Sequence, residues 1–189
     1  DSYVGVSVAL SDAQLIGVSG FELYASGTLK LNSASDGVTG LALTPRMNWT
    51  LATALANDPD GLLTDLDILA AVALQVTGSA AIDIGNGALV ATVTGVELNL
   101  ATMDVTDGTT TLTGADILSF TGTASLFAGV GGSLNGAHTA VVNGTIGFAV
   151  NSVSLSLVSA TGALTDGANA GDSYVGVSVA LSDAQLIGV

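Results

Sequence analysis

The chain has 189 residues, of which 49% are hydrophobic and only 10% are charged, and it contains no cysteine. Sixteen acidic residues against two basic ones give a formal net charge of −14. This balance argues against a nucleic-acid partner, whose phosphates need clusters of Lys and Arg, and against an anionic membrane surface. No apolar run approaches the roughly 18 residues of a transmembrane helix, so membrane insertion is not expected. The absence of cysteine excludes disulfides and thiolate metal sites.

The stretch DSYVGVSVALSDAQLIGV, which begins at Asp1, recurs without a single change at residues 172–189. Counted from Asp1 to Asp172, the period is 171 residues. A shared fold would preserve the apolar pattern but not every polar residue, so we interpret the chain as part of a tandem array. Residues 1–171 are then one full repeat, and residues 172–189 are the start of the next identical repeat.

A weaker repetition lies inside the large one. The segments VTGLAL, VTGVEL and VNSVSL begin at Val38, Val93 and Val150. Their spacing indicates three degenerate units of about 57 residues in each large repeat. The predicted units are roughly residues 12–61, 62–108 and 109–171.

The chain alternates apolar and small polar residues with a period of two, as in VGVSVAL, FELYASGTLKL and VELNL. This period, together with abundant Val and Thr, is typical of β-strands. Asp-Gly and Asn-Gly pairs, which favour tight turns, separate the strand-like runs. These pairs begin at Asp36, Asp60, Asp107, Asp166, Asn86, Asn135 and Asn143. The sequence therefore predicts an all-β fold, with at most one helical turn between Leu51 and Ala56.

The predicted outward positions of the strands carry Ser, Thr, Gly and Ala rather than Lys or Glu. Free sheet edges are usually blunted by charge, so a chain with so little charge must cover its edges in another way. Stacking of each unit on the next would do so, which favours a tandem-repeat β-rich rod that is β-solenoid-like. Residues 172–189 would then cover the end of the first repeat. The alternative is an array of β-sandwich domains joined by short linkers.

The sequence offers little for catalysis. His138 is the only histidine, and no nucleophile motif such as G-x-S-x-G accompanies it. The only glutamates, Glu22 and Glu97, are expected to face solvent on strands of different units. We therefore expect no catalytic residue and no enzymatic activity.

The acidic stretch NDPDGLLTDLD is the best candidate for a metal site, through Asp58, Asp60, Asp65 and Asp67. Calcium prefers such oxygen ligands, and the stretch is similar to the calcium loop of helix-loop-helix proteins. It departs from that loop at the first ligand position, where Ala56 stands. The alternative is a polar turn that closes a repeat unit. Calcium is the one cofactor that we consider, and the fold is not expected to require it.

Three smaller expectations concern single side chains. Asn48 and Asn143 begin the tripeptides NWT and NGT, which would accept N-glycans in a suitable secretory host. Trp49 is expected to lie in the core on a strand, on the same face as its neighbours two residues away. Lys30 is expected to pair with Glu22 across a hairpin.

The exact long period, the all-β pattern, the acidic low-charge surface and the absence of cysteine resemble the giant extracellular tandem-repeat proteins of bacteria. These include surface fibres, adhesin stalks and biofilm filaments. The resemblance implies a structural, non-catalytic repeat outside the cell that binds neighbouring copies of itself, and it carries over no functional residue. The alternative is a ligand-binding β-domain of a repetitive adhesin, for carbohydrate or another surface, although aromatic residues are few at 4%.

Overall fold

The computed structural model describes residues 1–15 and 19–188, and it is all-β, with 62% strand and 4% helix. The nine strands of these residues are β1 Ser2–Gln14, β2 Phe21–Ser35, β3 Val72–Ile84, β4 Leu89–Thr106, β5 Thr111–Val130, β6 Ser133–Leu134, β7 Val141–Val142, β8 Ile146–Thr161 and β9 Ser173–Ile187. The same residues include one short helix, α1 (Trp49–Ala52), and a 3-10 turn, Gly167–Asn169. The prediction of an all-β fold is confirmed.

Seven strands form one antiparallel sheet in the order β1-β2-β3-β4-β5-β8-β9. Apart from the small β6–β7 hairpin, each strand pairs with its predecessor along the chain, which makes the sheet a meander. The sheet is neither a solenoid nor a closed barrel. Within the described ranges the only other sheet is the two-stranded β6–β7 pair, so no second large sheet faces the meander.

The tight turns follow the predicted Asn-Gly and Asp-Gly pairs. Between β3 and β4 the backbone turns at Asn86, which has φ 53°, with glycines of positive φ on both sides. Between β4 and β5 the side chain of Asp107 accepts hydrogen bonds from the amides of Thr109 and Thr110, at 2.8 and 2.7 Å. Asp36 closes the turn after β2 in the same way, through the amides of Val38 and Thr39.

The two faces of the sheet differ sharply in chemistry, because residues directly opposite on paired strands point to the same side. One row crosses the whole sheet as Val8, Leu29, Val76, Leu98, Phe120, Leu157 and Val177. The next row crosses it as Ala9, Thr28, Thr77, Glu97, Thr121, Ser156 and Ser178. We call the side of the first row the apolar face and the side of the second row the polar face.

Hydroxyl pairs link neighbouring strands across the polar face. Thr28 and Thr77 approach to 2.6 Å between their Oγ1 atoms, and Ser26 and Ser79 to 2.9 Å between their Oγ atoms. Cross-strand pairs of this kind contribute roughly 0.2–1 kcal/mol each. Small hydroxylated residues therefore act here as links within the sheet.

The longer connections fold over the polar face. Residues 36–71 lie over β1 and β2, where the buried Ile68 and Thr53 belong to the connection itself. Residues 131–145, with the β6–β7 hairpin, pack on Phe127 and bring His138 against Tyr24. The fully buried side chains Phe127, Val90 and Ile68 thus lie under or within these connections.

The apolar face has no such cover within the described chain. The accessible surface is 10984 Å², whereas a globular monomer of this mass would expose about 8,200 Å². Near the edges Val8 and Leu29 remain 53% and 40% exposed, and Val177 remains 61% exposed. The sheet is therefore a single layer with a polar face on one side and an uncovered apolar face on the other.

Two local expectations need correction. Trp49 lies at the start of α1 rather than on a strand. The prediction that it shares a strand face with its neighbours two residues away is therefore wrong. Lys30 pairs with Asp67 at 3.0 Å and not with Glu22, because residues 36–71 fold back over β2.

Of the three similar segments, Val93 lies on β4 and Val150 on β8, whereas Val38 lies in the turn after β2. The three-unit division stays a prediction.

Candidate functional site: the two edge strands

The two edges of the sheet are formed by the same sequence. β1 is one edge and β9 is the other, and β9 repeats every residue of β1. In the sheet β1 is the first strand and β9 is the seventh, so they are six steps apart, an even number. In an antiparallel meander the two identical strands therefore run in the same direction.

Both edge strands lack the usual protection of a sheet edge. Proteins normally blunt edges with Lys, Pro or very short strands, but β1 and β9 have 13 and 15 residues and contain neither. Their only charged side chain is Asp12, repeated as Asp183. At this position β1 shifts register against β2, and Asp183 adopts φ 52° in β9. Such long exposed edges are templates for pairing with another strand.

Trp49 closes over β1 at Gly5. A Cβ atom placed on Gly5 would lie 2.6 Å from Nε1 and 2.7 Å from Cε2 of the indole, which is closer than real Cβ atoms come. The indole Nε1 donates to Oδ1 of Asn32 at 3.0 Å, and Asn32 is the residue of β2 directly opposite Gly5. The indole is therefore held across the β1–β2 pair, and only glycine fits beneath it. We call this arrangement the Trp49 seat.

Gly176 is the same residue of the repeat, in β9, but its surroundings are open. No heavy atom of the described chain, outside its own neighbours in sequence, lies within 4 Å of a Cβ atom placed on Gly176. On the other face of the strand, Val175 and Val177 are 67% and 61% exposed, against 47% and 37% for their equivalents Val4 and Val6. The copy in β9 thus carries the glycine of the Trp49 seat without the tryptophan.

The acidic stretch lies in the connection over the polar face. Asp58, Asp65 and Asp67 line one hollow there, and Asp60 lies outside its lining. Asp58 accepts a hydrogen bond from the amide of Leu63 at 2.7 Å, and the hydrogen bond from Lys30 lowers the pKa of Asp67. Within the described ranges, no three His or acidic side chains come together as a metal-binding group.

The two sequon asparagines are both partly buried and hydrogen-bonded. Asn48 caps α1, with its Oδ1 accepting from the amide of Leu51 at 3.1 Å. Asn143 donates from Nδ2 to Oδ1 of Asn151 at 3.4 Å. A glycan on Nδ2 of Asn143 would have to replace this contact.

His138 stacks on Tyr24 with a centroid distance of 3.5 Å and an interplanar angle of 9°. The Tyr24 hydroxyl donates to Glu22 at 3.1 Å, and partial desolvation together with this carboxylate raises the pKa of Tyr24. Glu97 is exposed on the polar face and accepts from Gln75 and Asn99. Of these contacts, the one between Gln75 and Glu97 links β3 to β4, and the stacking of His138 on Tyr24 attaches the β6–β7 hairpin to the sheet.

Comparison of the chain with family models, with curated proteins and with solved structures found no match. In the described part of the chain no helix is long and apolar enough to cross a membrane.

Sequence reasoning missed the Trp49 seat. The exact repeat identified both copies of the edge strand, but nothing in the pattern indicated that a tryptophan 44 residues after Gly5 would lie on it. The one available signal was Gly5 itself, a glycine at an alternating position of a valine-rich strand. Such a glycine often marks a close approach by another group.

Proposed function

We propose that the chain is a structural repeat of an extracellular filament or adhesin stalk, without catalytic activity. Successive repeats would continue one antiparallel sheet, so that β9 serves as the first strand of the following repeat. The observation that carries this proposal is the placement of two identical strands, in the same direction, at the two edges of one sheet. A repeat of this kind extends by six strands each time.

The residues on both sides of the shared strand are compatible with this continuation. Gly176 lies opposite Val158 of β8, and its equivalent Gly5 lies opposite Asn32 of β2. In a continuous sheet, one strand would keep both sets of partners, β8 on one side and the next β2 on the other. Each junction would then repeat pairings that a single chain already contains.

A sheet that continues from one repeat to the next would also account for the lack of protection at the edge strands. An unprotected 13-residue edge is an aggregation hazard in an isolated domain, but it is an ordinary interior strand in an array. The apolar face would become a continuous apolar band, and the acidic residues of turns and connections would keep the assembly soluble. The partners implied are therefore neighbouring copies of the same repeat.

An extracellular location fits the same features, although it rests on the resemblance of the sequence to bacterial surface fibres. Calcium remains the ion proposed for the acidic connection. There Ca²⁺ would have to compete with Lys30 for Asp67. Asp58 and Asp65, which line the same hollow, would supply further oxygen ligands.

The first experiment is electron microscopy of the native assembly, together with X-ray scattering from a chain of two consecutive repeats. Six strands at about 4.8 Å predict that each repeat adds about 29 Å along the ribbon. Separate globular domains of this size would instead be spaced by about 40 Å or more. A spacing near 29 Å supports the continuous sheet, and discrete flexible globules would overturn it.

The calcium proposal is tested by the thermal midpoint of the chain in 2 mM EDTA, in ~1 mM MgCl2 and in ~1 mM CaCl2, which suits a weak extracellular-type site. A rise in calcium alone is expected, and it should disappear in the double variant Asp58→Asn, Asp65→Asn. Asp104→Asn, which changes an acidic residue of β4 outside the lining of this hollow, is the matched control. Equal midpoints in all three solutions would remove calcium from the proposal.

A further inference from the structure

We propose that β9 of one chain can take the place of β1 in a second copy of this chain. The donated strand would pair with β2 of the second copy, and its Gly176 would fill the Trp49 seat of that copy. Two separate chains would thereby join head to tail by strand exchange. This inference deepens the proposed structural role and rests on it, and it names the partner of the β9 edge.

Because β1 and β9 are identical in sequence, the exchange replaces the contacts that it breaks. Every contact that β1 makes with β2 and with Trp49 can be made by β9 of another copy, because the residues are the same. The number of strand pairings is unchanged, since the β1–β2 pairing of the acceptor is lost as the pairing of β9 with that β2 forms. The donated β9 gains a second neighbour, and the displaced β1 regains its conformational freedom.

The difference between Gly5 and Gly176 gives the direction of the exchange. Within the described part of its own chain, a Cβ atom placed on Gly176 would meet no side chain, so the lack of that atom has no role in the isolated fold. In the acceptor the indole leaves no room for a Cβ atom, and its hydrogen bond to the buried Asn32 holds it in place. A glycine at position 176 matters only when β9 enters a second Trp49 seat.

Disulfide trapping tests the exchange, and the chain is suited to it because it has no cysteine. Val179 is the repeat equivalent of Val8, which pairs with Leu29. Chains that carry Val179→Cys are mixed with chains that carry Leu29→Cys and are oxidised slowly. Within one chain these positions lie five strands apart, about 24 Å, so they cannot bond. The expected product is a disulfide-linked heterodimer, and a second pair, Val177→Cys with Leu31→Cys, should behave alike.

Glycine variants at the two equivalent positions give the matched control. Gly176→Val in the donor chain should leave the donor's own unfolding midpoint unchanged or slightly raised, because the site is open and Val favours strands. It should lower the heterodimer yield about tenfold, because the new side chain would overlap the indole of the acceptor. Gly5→Val in the acceptor should raise the yield, since it displaces the acceptor's own β1 from its seat.

Three outcomes would overturn the exchange: no heterodimer, equal yields with and without Gly176→Val, or products joined only through Cys at 179 in both chains. The last product would indicate simple edge-to-edge association of two β9 strands.

A chain of two consecutive repeats, with cysteines at Val179 and at the second repeat's counterpart of Leu29, separates the two proposals. If it forms its internal disulfide while separate chains do not, the continuous sheet stands and the exchange is wrong. If neither reacts, both are wrong.

Discussion

At the scale of single residues, Asn32 attaches the long connection to the sheet. Its amide Nδ2 donates to the carbonyl of Met47 at 2.8 Å and to that of Leu69 at 3.2 Å, while Oδ1 accepts from Trp49. The residue is only 2% exposed, so water cannot replace these partners. One buried side chain thus joins β2 to two separate points of the connection.

Asn32→Ala should lower the free energy of unfolding by about 2–4 kcal/mol, because it leaves two carbonyls and an indole N–H without partners. Urea unfolding followed by Trp49 fluorescence measures the loss. Asn151→Ala removes an exposed asparagine and should change stability by less than about 0.5 kcal/mol. Equal effects of the two variants would show that the buried amide does not hold the connection.

The turn aspartates predict how stability responds to acid. Hydrogen bonds from backbone amides, and for Asp36 also from the Thr39 hydroxyl, lower the pKa of Asp36 and Asp107 below the ordinary 3.8. A lowered folded-state pKa means that their contribution is complete above pH 3.8 and is lost as the pH falls through the lower folded value. Urea midpoints measured from pH 6 to pH 2.5 should therefore fall mainly below about pH 4.

The double variant Asp36→Asn, Asp107→Asn keeps a side-chain oxygen in each turn but cannot titrate there. Its midpoint should depend less on pH below 4 than that of the unmodified chain. An identical acid branch in the double variant would assign the pH dependence to other carboxylates.

At this scale the sequence predicted the local turns, but it did not predict contacts between residues that are far apart in the chain. The turns at Asp36, Asn86 and Asp107 follow from the conformational preferences of neighbouring residues. The pairing of Lys30 with Asp67 and the position of Trp49 depend on how residues 36–71 fold back. That segment has no hydrophobic period to predict it.

At the scale of elements, alternation of apolar residues predicts the strands well, because one face of the sheet is apolar from edge to edge. The order of the strands was not predicted. β2 and β3 are neighbours although residues 36–71 separate them, and no local pattern records such a pairing. The seven-stranded sheet with identical edge strands is therefore a result of the structure, whereas the repeat of their sequence was visible in the sequence alone.

Deletion of Asp172–Val189 should cause association. It removes β9, and the edge of β8 from Gly147 to Thr161 loses its partner. Because β1 has the sequence of β9, the β1 strand of another truncated chain can pair with that edge. Truncated chains should therefore join head to tail without displacing any strand. Analytical ultracentrifugation should detect larger species than the full chain forms.

An 18-residue peptide with the sequence of residues 172–189 should bind the truncated chain and suppress this association, while a peptide of scrambled order should not. A truncated chain that stays monomeric and equally stable would mean that β9 has no part in covering β8.

At the scale of the whole molecule, a net charge of −14 opposes contact between copies. Salt screens such repulsion, with a Debye length of about 10 Å at 0.1 M and about 3 Å at 1 M. Light scattering should therefore report more association as NaCl rises from 10 mM to 0.5 M. KCl should act like NaCl, because the effect is screening and not binding of one ion. Dissociation with rising salt would instead indicate contacts made by opposite charges.

The meander order has a mechanical consequence. Each repeat would contribute about 29 Å of ribbon at rest, but the same 171 residues can span about 580 Å when fully extended. A load carried along the ribbon would peel strands one after another, since each strand of the large sheet is hydrogen-bonded to the strand of that sheet that precedes it in the chain. Every released strand would add slack before the covalent chain bears the full force. An array built in this way would be short at rest and extensible about twentyfold, a tether that absorbs shock.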